Sequence, residues 1–179
     1  RNKKKRCYHL ARYGINLLCG ASVLYLLFMI FCGANYYRYP FSKQCNLTVE
    51  KYSVEELFGL CTELANKANE LRSQIKTVDN QGAFKLSQSD YKTAKEAKKA
   101  MESLAKKYPS LSGYYAVPKP VLASRAMTYI ETTGLFSTFT MEANVNVECA
   151  DYDIPATMCH ELSHQMGYMK EDEANYIAY

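Results

Sequence analysis

Histidine is scarce in this chain, with three in 179 residues, so a metal site built on imidazoles has almost no choice of positions. None of the seven cysteines forms a CxxC pair, which argues against a cysteine zinc site. No aspartate or glutamate precedes Glu50, and no charge of either sign falls between Tyr13 and Tyr37. The first absence makes the N-terminal segment purely basic. The second leaves a stretch that can enter hydrocarbon. No internal repeat or low-complexity segment is evident, and no RNA- or DNA-binding motif accompanies the net charge of +4. The basic balance is therefore no sign of a nucleic-acid partner.

The uncharged stretch explains the charge. Ile15 to Ala34 is a mostly apolar run of the length that spans a bilayer as a helix, about 20 residues. It has no polar face, which a buried core helix would show, and its apolar region is too long for a typical signal peptide. Cys32-Gly33-Ala34 matches a cleavage site only weakly. Tyr36 and Tyr37 stand where an interfacial aromatic belt belongs. Arg1, Lys3, Lys4, Lys5, Arg6 and Arg12 precede the run, and positive residues stay on the cytoplasmic side. The expected organisation is a basic cytoplasmic segment over 1–12, a transmembrane helix over 13–37, and an extracytoplasmic domain over 45–179. Removing those six residues leaves 16 basic against 18 acidic residues, so the outer part is slightly acidic. Cys45, Cys61, Cys149 and Cys159 fall outside the membrane and could pair there. The chain opens without methionine and stops inside its expected last helix, as a piece of a longer protein would.

Two of the scarce histidines form a complete HExxH, His160-Glu161-Leu162-Ser163-His164. Residues four apart lie on one helix face, so His160 and His164 can offer both imidazoles to one ion. Glu161 is beside them, rotated about 100° around the helix, placed to act on a water at the metal without holding the ion. Asp153 is the expected N-cap of this helix, Pro155 fits its first turn, and Gly167 its end. A second helix is expected from about Lys170. A zinc site of this kind needs a third protein ligand, commonly a carboxylate, with the fourth position open. Glu171 is favoured over Glu173, because Asn175 lies four residues on and shares its face. From there Asn175 can hold the other nitrogen of a ligating imidazole. Cys159 faces elsewhere and reads as packing. A donor to the transition state is also expected. Tyr152, Tyr168 and Tyr176 are near in sequence, with nothing to separate them.

The pairing of HExxH with Glu171 and Asn175 resembles the gluzincin class of metallopeptidases, typified by thermolysin. It departs from that pattern in a much shorter gap between His164 and the carboxylate, which requires a tight reversal around Gly167 and Tyr168. Asn175 also stands where related membrane proteases carry aspartate. The run from Pro155 to Tyr179, with Phe139 to Asn146, Ser53 to Arg72 and the Tyr36-Tyr37-Arg38 stretch, closely resembles a bacterial family of membrane-anchored proteins known only as a domain of unknown function. What the resemblance implies is a zinc peptidase outside the membrane with no assigned substrate.

Between anchor and site, Ser53-Val54-Glu55-Glu56 fits a capping box, and Leu57, Leu60, Cys61, Leu64, Ala68, Leu71 and Ile75 repeat at helical spacing to about Lys76. A second helix is expected after Asp90, with Tyr91, Ala94, Ala97, Met101, Leu104 and Tyr108 on one face, ending before Pro109. Its lysines read as a solvated face. Strands are expected near Arg125–Glu131 and Leu135–Val147 around a Thr132-Thr133-Gly134 turn. Glu142 to Asn146 is the candidate edge for pairing with an extended peptide. The expected fold is α+β, an N-terminal transmembrane helix followed by a zincin-like domain with a small sheet and the HExxH helix. The leading expectation is a membrane-anchored zinc metallopeptidase. Its rival is a non-catalytic, metal-stabilised binding or sensor module of the cell envelope.

Overall fold

The computed structural model describes residues 2–179; Arg1, the first of the basic residues ahead of the span, lies outside them. Helix α1 runs over Asn2–Phe31. Within it, Lys5–Phe31 is long and apolar enough to cross a membrane, and its most apolar window is not buried against the rest of the chain. A helix of this composition at the start of a chain fits an anchor or a signal sequence. It stops at Phe31, short of the expected Ala34, where a 3-10 turn over Gly33–Tyr37 takes over. A single turn, α2 (Phe41–Gln44), follows and sends Phe41 into the core.

Helix α3 (Val54–Gln74) starts where its capping box lies. Ser53 Oγ accepts from the Glu56 amide at 3.2 Å, and the Glu56 carboxylate accepts from the Ser53 amide at 2.8 Å. Its apolar stripe has no cover, since none of its residues is buried. Helix α4 (Asp90–Lys107) behaves differently. It buries Ala94, Ala97 and Met101 on the expected face and leaves most of its lysines in water, although Tyr91 stays exposed.

The sheet departs most from expectation. The segment expected as a strand near Arg125–Glu131 is a short helix, α5 (Ser124–Tyr129). Arg125, Ala126 and Met127 are good helix formers, and only Ser124 is buried, so no alternating face exists to hold a strand. The expected strand Leu135–Val147 is two strands. β2 (Gly134–Ser137) and β3 (Glu142–Val145) flank a four-residue turn in which Met141 adopts φ 55° and Thr140 Oγ1 bonds Ser137 Oγ at 2.7 Å. Short polar side chains at the tip satisfy the turn locally, which a continuous strand would not allow. β1 (Lys119–Pro120) completes a three-stranded sheet of order β1-β3-β2. β3 pairs parallel to β1 and antiparallel to β2, with Leu135 opposite Asn144. Because both its edges are taken, β3 is not the free edge expected at Glu142 to Asn146. That edge belongs to β2.

Helix α6 (Asp153–Gln165) carries the HExxH and packs against β3, α4 and α7 (Glu171–Ala178). Ile154, Met158 and Leu162 meet Ala143, Val145, Met101 and Ile177 in the core. Truncating a buried leucine such as Leu162 to alanine costs about 2–5 kcal/mol, so the site's helix is fixed by its apolar face. Asp153 occupies the first turn but makes no capping bond; the N-cap position is Tyr152. All seven cysteines are free thiols, including Cys45, Cys61, Cys149 and Cys159. The architecture is α+β, one apolar N-terminal helix followed by helices around a small sheet.

Candidate metal centre

Gly167 makes the site possible. At φ +88° it takes the left-handed conformation that closes α6. Its amide bonds the His164 carbonyl at 2.9 Å, and the Tyr168 amide bonds the Ser163 carbonyl at 3.2 Å, the paired bonds of a Schellman motif. This reversal accommodates the short gap between HExxH and the acidic cluster. It also turns the Tyr168 carbonyl back onto His164, whose Nδ1 lies 2.7 Å away. A carbonyl only accepts, so Nδ1 carries the proton and Nε2 is left with its lone pair.

His160 is fixed the same way by α7. Its Nδ1 lies 2.9 Å from Asn175 Oδ1, so its Nε2 is also an acceptor. The two Nε2 atoms face each other at 3.0 Å. Glu171 completes the convergence, with Oε2 at 3.1 Å from His160 Nε2 and Oε1 at 3.6 Å from His164 Nε2. The ligand atoms of His160, His164 and Glu171 all lie within 4.8 Å of one another. With both imidazoles neutral, these three acceptors repel unless a cation joins them. Burial holds His164 below its ordinary pKa, outweighing the Tyr168 carbonyl, and so favours the neutral form that ligates.

Glu173 is elsewhere. Its Oε1 accepts from the Phe41 amide at 2.9 Å, capping the start of α2, as the rotation of about 200° between the two glutamates requires. Tyr168 is buried, its ring under Arg38 at 4.4 Å, and so is out of reach as a donor to the site. Tyr152 and Tyr176 are exposed and do not line the cavity around the cluster, whereas Tyr36 does. Sequence proximity could not have found Tyr36, which reaches the site from the far end of the chain.

Glu161 stands apart from the three. It is 5 % exposed, and its Oε2 has no hydrogen-bond partner. Burial and then the Glu171 carboxylate push its pKa up to about 7, with the Phe136 amide pulling the other way. Gly134 opens room for it. A Cβ at Gly134 would lie 2.8 Å from Glu161 Cγ and Cδ, closer than packed atoms approach. The Asn146 amide bonds the Thr133 carbonyl at 2.8 Å, so by antiparallel alternation Gly134 and Phe136 direct their backbone groups away from β3. The cavity is about 740 Å³, with β2 as one wall and α6 as the other.

A family profile described as a protein of unknown function, DUF3810, matches residues 1–179. The chain belongs to the DUF3810 family. No curated protein and no solved structure matches it. In this DUF3810 member the cluster itself is therefore what bears on activity.

Proposed function

We propose that this DUF3810 protein is a membrane-anchored zinc metallopeptidase of gluzincin type, zincin-like in its outer domain, which acts outside the cytoplasmic membrane. The observation that carries the reading is the convergence of His160 Nε2, His164 Nε2 and the Glu171 carboxylate, each turned inward by a partner or by its helix. Two imidazoles and one carboxylate are a donor set that suits zinc and leaves a coordination position open. A zinc ion held there would acidify a water and polarise a carbonyl.

The remaining chemistry falls to the chain. Glu161 takes the proton from the attacking water and returns it to the leaving amine. β2 offers an extended peptide the outward backbone groups of Gly134 and the outward carbonyl of Phe136, the strand-addition mode of binding. This places the substrate between the sheet edge and Glu161. A buried carboxylate with an unpartnered oxygen favours an enzyme over a metal-stabilised binding module, because a structural site would keep that desolvation penalty without using it.

The anchor reading of α1 is supported by its end. Cys32 is buried against Met169 of the domain, so cleavage there would strip a packed residue from the fold. The basic N-terminus supports a cytoplasmic start and an external domain. The test is Glu161→Gln, which keeps the volume but removes the base. Zinc content by elemental analysis should stay at the wild-type level while hydrolysis of a broad peptide library falls by about 10²–10⁴. Wild-type protein that holds no zinc, or that holds it and cleaves nothing, would overturn the proposal.

A further inference from the structure

The cavity that contains the metal cluster is also lined by Cys32 and Tyr36. Cys32 is the first residue beyond α1. No flexible tether separates the apolar helix from the site. Cys32 Sγ lies 3.5 Å from Met169 Sδ, and both residues are buried. Arg38 donates to the Met166 carbonyl at 2.6 Å and to the Ser110 carbonyl at 3.1 Å, with its guanidinium over the Tyr168 ring. Phe41 is buried and packs edge-on against Tyr168, and its amide is held by Glu173. These contacts join residues 32–41 to the α6–α7 turn and to α7, the segments that orient His164, Glu171 and Asn175.

Such a clamp has little use for a peptidase that meets free peptides, since a loose tether would let the domain sample more solution. It fixes the cluster at a set height above the bilayer. Exposed Tyr37 and Tyr39 flank the junction as interfacial residues do, and the cleft's far wall presents Leu135, 59 % exposed, on the edge strand. We infer that the substrate is another membrane-anchored polypeptide, cut in the extended segment just outside its own span. This rests on the peptidase reading and names its substrate class. A cavity of 740 Å³ is on the order of 10 Å across, so at about 3.3 Å per residue it takes about three extended residues, and Cys32 at the end of α1 is among those that line it.

Two measurements test this, one of them independent of turnover. The chain contains no tryptophan, so Leu135→Trp gives a single tryptophan, in the cleft wall, that can be excited apart from the tyrosines. In the full chain reconstituted in vesicles containing brominated phosphatidylcholine, its emission should be quenched relative to unbrominated vesicles. No quenching would overturn the inference whether or not the protein is a peptidase. For turnover, one cleavable sequence is placed four residues or twenty residues from the same membrane anchor, and is also supplied as a free peptide. An anchored segment samples a layer whose depth grows roughly as the square root of its tether length, so the short tether should be cut about twofold faster than the long one. Equal rates for the two tethers, or a free peptide cut as fast, would leave the peptidase reading standing and remove this one. Cleavage of none of them by zinc-loaded protein would remove both.

Discussion

Gly134→Ala is the sharpest perturbation of the site, because it replaces neither a proposed metal ligand nor the proposed base and yet presses on Glu161. The added Cβ would sit 2.8 Å from Cγ and Cδ of Glu161 and closer still to its Oε1, where ordinary contact begins at 3.4 Å. One side must retreat by more than half an ångström. Glu161 has little space to yield, being buried on α6 beneath the sheet edge, and β2 is held by its register with β3. Overpacking of this kind costs about 1–3 kcal/mol. At about 2–4 °C per kcal/mol for a domain of this size, the melting temperature should drop by on the order of 5 °C. Turnover should fall further than stability explains, because a shift of about 1 Å in a catalytic group can cost on the order of 10²-fold. Zinc content should be unchanged, since His160, His164 and Glu171 are held from α6 and α7. Calorimetry, elemental analysis and peptide hydrolysis on one preparation separate the three effects. A variant with wild-type melting and wild-type turnover would show that β2 does not press on Glu161, and the proposed cleft would have the wrong wall.

Glu171→Ala should abolish stoichiometric zinc binding in dialysed protein. Glu173→Ala should leave zinc content intact and cost about 0.5–2 kcal/mol through loss of the cap on α2, read from chemical denaturation; the reverse order would mean the helix phase is wrong. Asn175→Ala should weaken zinc affinity by about 10–100-fold in competition with a chelator, as expected when a ligating imidazole loses its orienting partner. Asp151 supplies a pH dependence away from the site. Burial opposes its charge, but the Leu86 amide at 2.8 Å and the Lys85 ammonium at 3.0 Å outweigh that, leaving its pKa below the ordinary 3.8. A carboxyl depressed by folding stabilises the fold above its unfolded pKa and loses that contribution as pH falls through the folded value. The difference in unfolding free energy between wild type and Asp151→Asn should therefore be constant above about pH 5 and shrink below about pH 4. A difference that grows on acidification would contradict the assignment.

The sequence by itself determined what depends on neighbours along the chain. The capping box at Ser53 starts α3, Pro109 follows the end of α4, and Gly167 closes α6, because each is a local backbone condition that these residue types meet. The pairing of His160 with His164, the preference for Glu171 over Glu173, and the reach of Asn175 to an imidazole follow from helical rotation alone. The strands were less legible. Short segments such as Ser124–Tyr129 and Gly134–Ser137 carry too few residues for a period to show, and packing decided their form. A helix also replaced the strand expected near Arg125–Glu131. Whether β3 was an edge depended on β1, two residues long and more than twenty positions upstream, so pairing order could not be read from either strand. The cleft itself was decided in three dimensions. Gly134 gives way to Glu161, Arg38 clamps the turn after α6, and Cys32 and Tyr36 close the cavity from the end of α1. Each joins residues more than twenty positions apart, and no local pattern encodes such a contact; only the packing of α6 and α7 against the sheet and the end of α1 creates it.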